Sequence, residues 1–216
     1  MPEMLEVLKA RVKYKNKERG IKMEKQEIMN SLMMNPKFDA DWITIAADMM
    51  IKEPDFFSSI KLAKFSYQQL THIRNAYDEL KKKTPEGEPF DFEPIEIIMN
   101  SALNATQIQI LATGLVKDVG VNYVKLLANP NIPYVTMDYV MGAIVDGYPE
   151  IMDYLAFEPL QIGEIAAGMR DNLDYKSYAH KNFSAEKMAL MRHALFVGIP
   201  IEFPKNIIPC TDDIDD

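Results

Sequence analysis

The stretch FSAEKMALMRHALFVGI, residues 183–199, decides the fold. It opens on an aromatic residue, continues with a serine suited to capping a helix, sets Met188, Met191 and Leu195 on one apolar stripe, and stops at Gly198. Those are the start, periodicity and stop signals of a single amphipathic helix. Shifting back 26 residues gives FEPLQIGEIAAGMRDNL, residues 157–173, where Ile162, Ile165 and Met169 fall on the same stripe. The chain therefore repeats itself.

Four further copies lie upstream. Ile132 leads to Met137, Val140 and Ile144; Leu103 to Ile108, Leu111 and Leu115; Phe65 to Leu70, Ile73 and Tyr77; Phe38 to Ile43, Ala46 and Met50. In every copy the leading apolar residue stands five before the first stripe residue. That is the spacing of a hydrophobic staple, which clips the residue before the cap onto the first turn and fixes how the chain enters the helix. The residue after each staple is Asp39, Ser66, Asn104, Pro133, Glu158 or Ser184. Four of these are strong N-caps, Pro133 and Glu158 fit less well, and Ser66 with Gln69 completes a capping box. One position late in each helix is small in five copies (Ala76, Gly114, Ala143, Gly168, Ala194) and Met49 in the first, which predicts close approach of neighbouring helices.

A shorter apolar segment follows each leading helix, as in residues 121–128, 150–156 and 175–179, so the unit reads as helix, turn, short helix. The fold class predicted is all-α: an array of about six such units, solenoid-like, with an N-terminal helical arm. Successive leading residues are 27, 38, 29, 25 and 26 apart, and the one long interval holds KKKTPEGEPFDFEP, residues 81–94. Its lysine run, prolines and glycine read as an exposed loop or linker. The expected organisation is a basic helical arm or cap over residues 1–36, repeats one and two over 37–80, the insertion 81–94, repeats three to six over 95–209, and an acidic tail over 210–216.

The copy at residues 183–199 resembles a short repeat, roughly F-S-x-x-Q-M-x-x-I-R-x-G-L-x-x-G, of uncharacterised proteins from Firmicute bacteria, their plasmids and phages. Phe183, Ser184, Met188, Arg192 and Leu195 match best, then Phe65, Ser66, Gln69, Leu70, Ile73 and Arg74, with Lys187 where the motif has glutamine. The resemblance covers residues 38–206. It implies a helical array and a bacterial or mobile-element origin, and it transfers no catalytic residue.

Composition limits what such a chain does. At 216 residues and 48% hydrophobic content it can bury a substantial core without a staple. The single cysteine, Cys210, precludes an intrachain disulfide and a Cys-rich zinc site, and fits a cytoplasmic protein. No apolar run approaches the ~20 residues of a membrane helix, and the N-terminus reads as the reverse of a signal peptide. The net charge of −8 divides unevenly: residues 1–36 hold eight Lys and Arg against five Asp and Glu, while the remaining 180 hold sixteen against twenty-seven, or −11. An acidic body disfavours general nucleic-acid binding and favours a basic protein partner.

Reactive motifs are missing: there is no GxGxxG, GxSxG, HExxH, P-loop or EF-hand. His72, His180 and His193 do not share a repeat position and read as packing or solvated histidines. The carboxylate pairs Asp171 with Asp174 and Glu150 with Asp153 read as solvated turn residues. No catalytic residue, cofactor or metal site is expected. The candidate interaction residues are Tyr134, Tyr139, Tyr148 and Tyr154, drawn from a tyrosine-rich stretch that also supplies core, and Lys13, Lys15 and Arg19 of the basic arm. Met29, Met33, Met34, Met49 and Met50 read mainly as core packing. The function expected is a non-enzymatic protein–protein interaction module, a mobile-element or phage accessory or inhibitor protein docking on a basic host protein. The alternative is a nucleic-acid-associated protein using residues 9–25, with Lys81, Lys82 and Lys83 as further phosphate contacts.

Overall fold

A computed structural model describes residues 25–199. Among them every regular element is helical. α1 is Lys25–Met33, α2 Ala40–Lys52, α3 Ser59–Leu62, α4 Tyr67–Lys83, α5 Glu93–Ile98, α6 Ala105–Val116, α7 Val121–Leu127, α8 Tyr134–Val145, α9 Pro159–Arg170 and α10 Ala185–Phe196. Two 3₁₀ segments, Pro149–Tyr154 and Tyr175–Ser177, follow α8 and α9. The described residues fall into two compact units, one holding 25–116 and 120–128, the other 117–119 and 129–199.

The six leading helices are α2, α4, α6, α8, α9 and α10, and each begins two residues after its staple. Caps act as their chemistry dictates. Asp39 accepts from the Trp42 N–H at 2.7 Å, Asn104 from the Gln107 N–H at 2.9 Å, and Ser184 from the Lys187 N–H at 3.3 Å. Stripe residues Ile43, Leu70, Ile73, Ile108, Leu111, Met137, Val140, Ile162, Ile165 and Met188 are fully buried or nearly so. Within the first unit α2 packs on α4 and α4 on α6; within the second α8 packs on α9 and α9 on α10.

A side chain at the third helical position ties one copy to the next. Trp42 donates its indole N–H to the Phe65 carbonyl at 2.9 Å, and Gln69 donates from Nε2 to the Leu103 carbonyl at 2.6 Å. Gln161 reaches the Phe183 carbonyl and, at 3.1 Å, that of Lys181. Phe65, Leu103 and Phe183 are the staples of the following copies. The same glutamines close their own helix: Gln69 Oε1 accepts from the Ser66 N–H, Gln107 from Asn104 and Gln161 from Glu158, at 2.7–2.8 Å. Gln69, Gln107 and Gln161 are all buried, as buried amides with satisfied bonds can be.

Helix ends repeat as well. Asp118, Gly147, Asn172 and Gly198 occupy one repeat position and all have left-handed backbone, with φ of 61°, 94°, 53° and 77°. In the last three copies the following N–H then reaches back to the carbonyl at the small position: Tyr148 to Ala143, Leu173 to Gly168, Ile199 to Ala194. This is the Schellman closure, which glycine and asparagine accommodate best. The small position itself departs from expectation at Gly168. A Cβ there would lie 1.9 Å from the Tyr178 hydroxyl, which donates to the Glu164 carbonyl at 3.0 Å. What approaches is thus the segment trailing the same helix, not a neighbouring leading helix.

The trailing segments match the sequence reading in α7, but after α8 and α9 they are 3₁₀ turns, as befits pieces of six and three residues. α1 packs on α2 through buried Ile28 and Leu32, four residues apart, so the described end of the N-terminal region covers the first leading helix. Residues 1–24 and 200–216 lie outside the described residues, and with them Lys13, Lys15, Arg19 and the acidic tail.

Replacing Gln161 with Leu is expected to cost about 1–3 kcal/mol in urea unfolding, because the buried Phe183 carbonyl, the partly buried Lys181 carbonyl and the Glu158 N–H lose their partner. Gln109→Ala, on an exposed helix face, should stay within ~0.5 kcal/mol. Gly168→Ala should destabilise by ~1–3 kcal/mol, and Tyr178→Phe in the same chain should recover part of that loss by removing the hydroxyl it strikes.

Candidate interaction surface

The four candidate tyrosines do not form one exposed patch. Tyr134, the first residue of α8, is 51% exposed. Tyr139 is half-buried, its ring lying over Gly163 so closely that a Cβ there would meet ring atoms at 3.0–3.3 Å. Tyr148 is half-buried at the Schellman turn after α8. Tyr154 is half-buried edge-on to Phe157, with centroids 5.4 Å apart, and to Tyr175 at 6.1 Å. Burial, then the neighbouring Tyr175, Asp153 and Glu150, pushes the Tyr154 hydroxyl up to about 12. Three of the four therefore serve packing, and Tyr134 alone remains an exposed candidate anchor.

The methionine run also divides: Met49 and Met50 are core, whereas Met33 and Met34 at the end of α1 are exposed. His72 is half-buried with its pKa lowered by that burial; His180 tilts against the Phe183 ring at 5.1 Å; His193 is exposed. Among the described residues no group of three His, Cys, Asp or Glu is placed to hold a metal ion. Asp171 accepts from Arg192 Nη1 at 3.2 Å and so joins an ion pair between copies.

The insertion proves only half a loop. Residues 85–89 are exposed and turn at Gly87, whose φ is 88°. Phe92 then stacks on Phe56 at 4.2 Å, Phe90 meets Tyr77 edge-on at 5.1 Å and Phe92 at 4.9 Å, and the Lys81 ammonium sits 5.1 Å above the Phe90 ring. Both rings insert into an apolar cluster of the first unit, so the segment is part of that unit and does not link separate bodies. Before, between and after these anchors, into α5, the chain exposes Glu86, Glu88, Asp91, Glu93 and Glu96, with no Lys or Arg from 84 to 96. The signal was present in sequence as F-x-F between acids, which the prolines and glycine outweighed.

The insertion's lysines are engaged within their own unit. Lys81 pairs with Glu53 at 3.3 Å, Lys82 with Glu79 at 2.6 Å, and Lys83 donates to the Val116 carbonyl at 2.6 Å. Lys81, Lys82 and Lys52 line an open cleft of about 990 Å³ with Glu53, Tyr77 and Asp78. Its carboxylates already face cations, Asp78 that of Lys52, Glu53 that of Lys81 and Glu79 that of Lys82, and the Tyr77 hydroxyl also donates to Glu53 at 2.6 Å. The cleft offers a ligand little unspent charge. Exposed pairs of this kind contribute little stability.

No helix among the described residues is long and apolar enough to cross a membrane. Comparison with protein families, with curated proteins and with solved structures finds no match.

Because the folded state holds the Tyr154 proton more tightly than the unfolded chain, whose tyrosine titrates near 10, its contribution is complete below pH ~10 and lost as pH rises through about 12. Alkaline unfolding followed by circular dichroism should accelerate across that window. Tyr154→Phe should flatten the pH dependence there.

Proposed function

We propose that this chain is a non-enzymatic interaction module that docks on a basic protein partner, with its helical units stacked as an extended surface. The observation that supports this most is the strap of residues 86–96. Five exposed carboxylates stand on backbone pinned at Phe90 and Phe92; among the described residues Glu93 pairs with Lys125 at 3.8 Å, and Glu96 shares an open cleft with Lys61 and Lys64. Charges held in place before contact steer a partner of opposite sign without the entropic cost of ordering a loop. With −11 on the residues beyond the first 36, the body repels nucleic acid and attracts basic surfaces. A mobile-element or phage accessory protein that blocks the basic surface of a host protein, such as a nucleic-acid-binding channel, is the biological role that fits this charge and the repeat.

Capture of partners from bacterial lysate on the immobilised full chain, identified by mass spectrometry, should recover a basic protein at ~50 mM salt and progressively less at higher salt. Glu86→Lys with Glu88→Lys and Asp91→Lys should reduce that capture at least tenfold while leaving the helical circular-dichroism signal unchanged. Recovery of nucleic acid that disappears when residues 1–24 are removed would replace this reading with the nucleic-acid one. Capture unaffected by the triple charge reversal would remove the strap from it.

A further inference from the structure

A second cleft of the first unit, about 360 Å³, opens between the turn after α2, α3 and the end of α5. That volume is enough for a small molecule. Phe56, Phe65 and Met99 form its apolar wall. Its charge runs against that of the chain, because two lysines, Lys61 and Lys64, stand against the single carboxylate of Glu96, whereas residues 37–216 together carry −11.

Packing does not use these two lysines. Among the described residues neither has a carboxylate within ion-pair distance, unlike Lys52, Lys81 and Lys82 of the larger cleft. Lys61 Nζ instead sits 4.6 Å above the Phe56 ring, which also stacks on Phe92 at 4.2 Å. The ring thus places an ammonium at the cleft before any ligand arrives. Asn100 accepts the Ala102 N–H on Oδ1 at 3.0 Å, which leaves its NH₂ group to donate, and the Ser101 hydroxyl can donate beside it. Four donors around an apolar wall, with one carboxylate among them, suit an anion rather than a cation.

Charge and shape narrow the anion. Two ammoniums less one carboxylate leave the lining at +1, so a monoanion balances it, while a phosphate dianion would bring uncancelled charge beside Glu96. Phe56, Phe65 and Met99 reward an apolar body next to that charge. We propose that this cleft binds an apolar residue bearing a free carboxylate, whether a small free acid or the last residue of a peptide chain. The carboxylate lies between Lys61 and Lys64 and the side chain against Phe56, Phe65 and Met99. None of Glu86, Glu88 and Asp91 lines the cleft, so failure here would leave the strap untouched.

Titration of the isotope-labelled full chain with N-acetyl-phenylalanine at ~50 mM salt, followed by backbone amide NMR shifts, tests this. A molecule of ~15 non-hydrogen atoms in an open cleft should bind with a Kd of about 1 mM, moving the amides of Lys64 and of residues 99–101 first. N-acetyl-phenylalaninamide, the same body without the charge, should bind at least tenfold more weakly. Lys61→Ala with Lys64→Ala should weaken binding of the acid at least tenfold and leave the helical circular-dichroism signal unchanged, since both side chains are exposed. Glu96→Gln should tighten binding about twofold by removing a like charge. The peptide Gly-Gly-Phe with its free terminus separates the two sources: tighter binding than the acetylated amino acid assigns the site to a chain end, weaker binding to a free acid, and either supports the shared chemistry. No shift change at ~10 mM acid, tenfold above the expected Kd, overturns the proposal. So does equal binding of the amide, or unchanged binding by the double lysine variant.

Discussion

A hydrogen bond from the third residue of one leading helix to the staple carbonyl of the next copy is the constraint on which the rest of each unit depends. The staple residue must have its side chain buried under the first turn, which draws its backbone carbonyl into a place that water does not reach. A carbonyl buried there needs a donor. Trp42, Gln69 and Gln161 provide it from the preceding copy, and glutamine does so while its oxygen caps its own helix. One residue thereby sets the start of its helix and the position of the next. Such ties join copies whose leading residues stand 26, 27 and 38 apart. Extra chain simply accumulates after the tie.

This explains which parts of the fold were legible in the sequence. The staple, cap and stripe are local, with period 3.6 and fixed offsets, and all six helix starts follow from them. Gln69 was readable as half of a capping box; its bond to Leu103, thirty-four residues away, was not, because sequence spacing carries no trace of which carbonyl is left without a donor. The small position was visible at Gly168, yet its reason was Tyr178 folding back, a tertiary event. Phe90 and Phe92 were missed because turn chemistry at residues 84–89 is genuine, and two aromatic anchors beside a turn do not generate periodicity.

The candidate site was legible to a smaller degree. Tyrosine enrichment correctly marked a stretch of large side chains, but a repeat needs such residues for its own closure, and Tyr139, Tyr154 and Tyr178 serve that end. The arginine of the repeat shows the same ambiguity from the other side. Arg192 reaches Glu164 and Asp171 of the preceding copy, whereas Arg74, at the equivalent position, has apolar Ile45 where Glu164 would be and bonds only to neighbouring Asn75. Arg74 Nε is the one buried side-chain nitrogen without a hydrogen-bond partner among the described residues. One motif letter thus marks a cross-copy ion pair in one place and an incompletely satisfied guanidinium in another.

The distribution of acid follows from these pairs. Asp146 is matched by Arg170, Glu164 and Asp171 by Arg192, and Asp78 by Lys52, so several carboxylates on the leading helices already face a cation from an adjacent copy. Each pair is half-exposed and adds little stability, but it cancels field at the surface. Further exposed acid stands in the insertion and the start of α5, on either side of the aromatic anchors of the first unit. An insertion fixed in place by Phe90 and Phe92, with its carboxylates exposed, is where a repeat of this kind can vary surface charge without altering the ties that hold its helices.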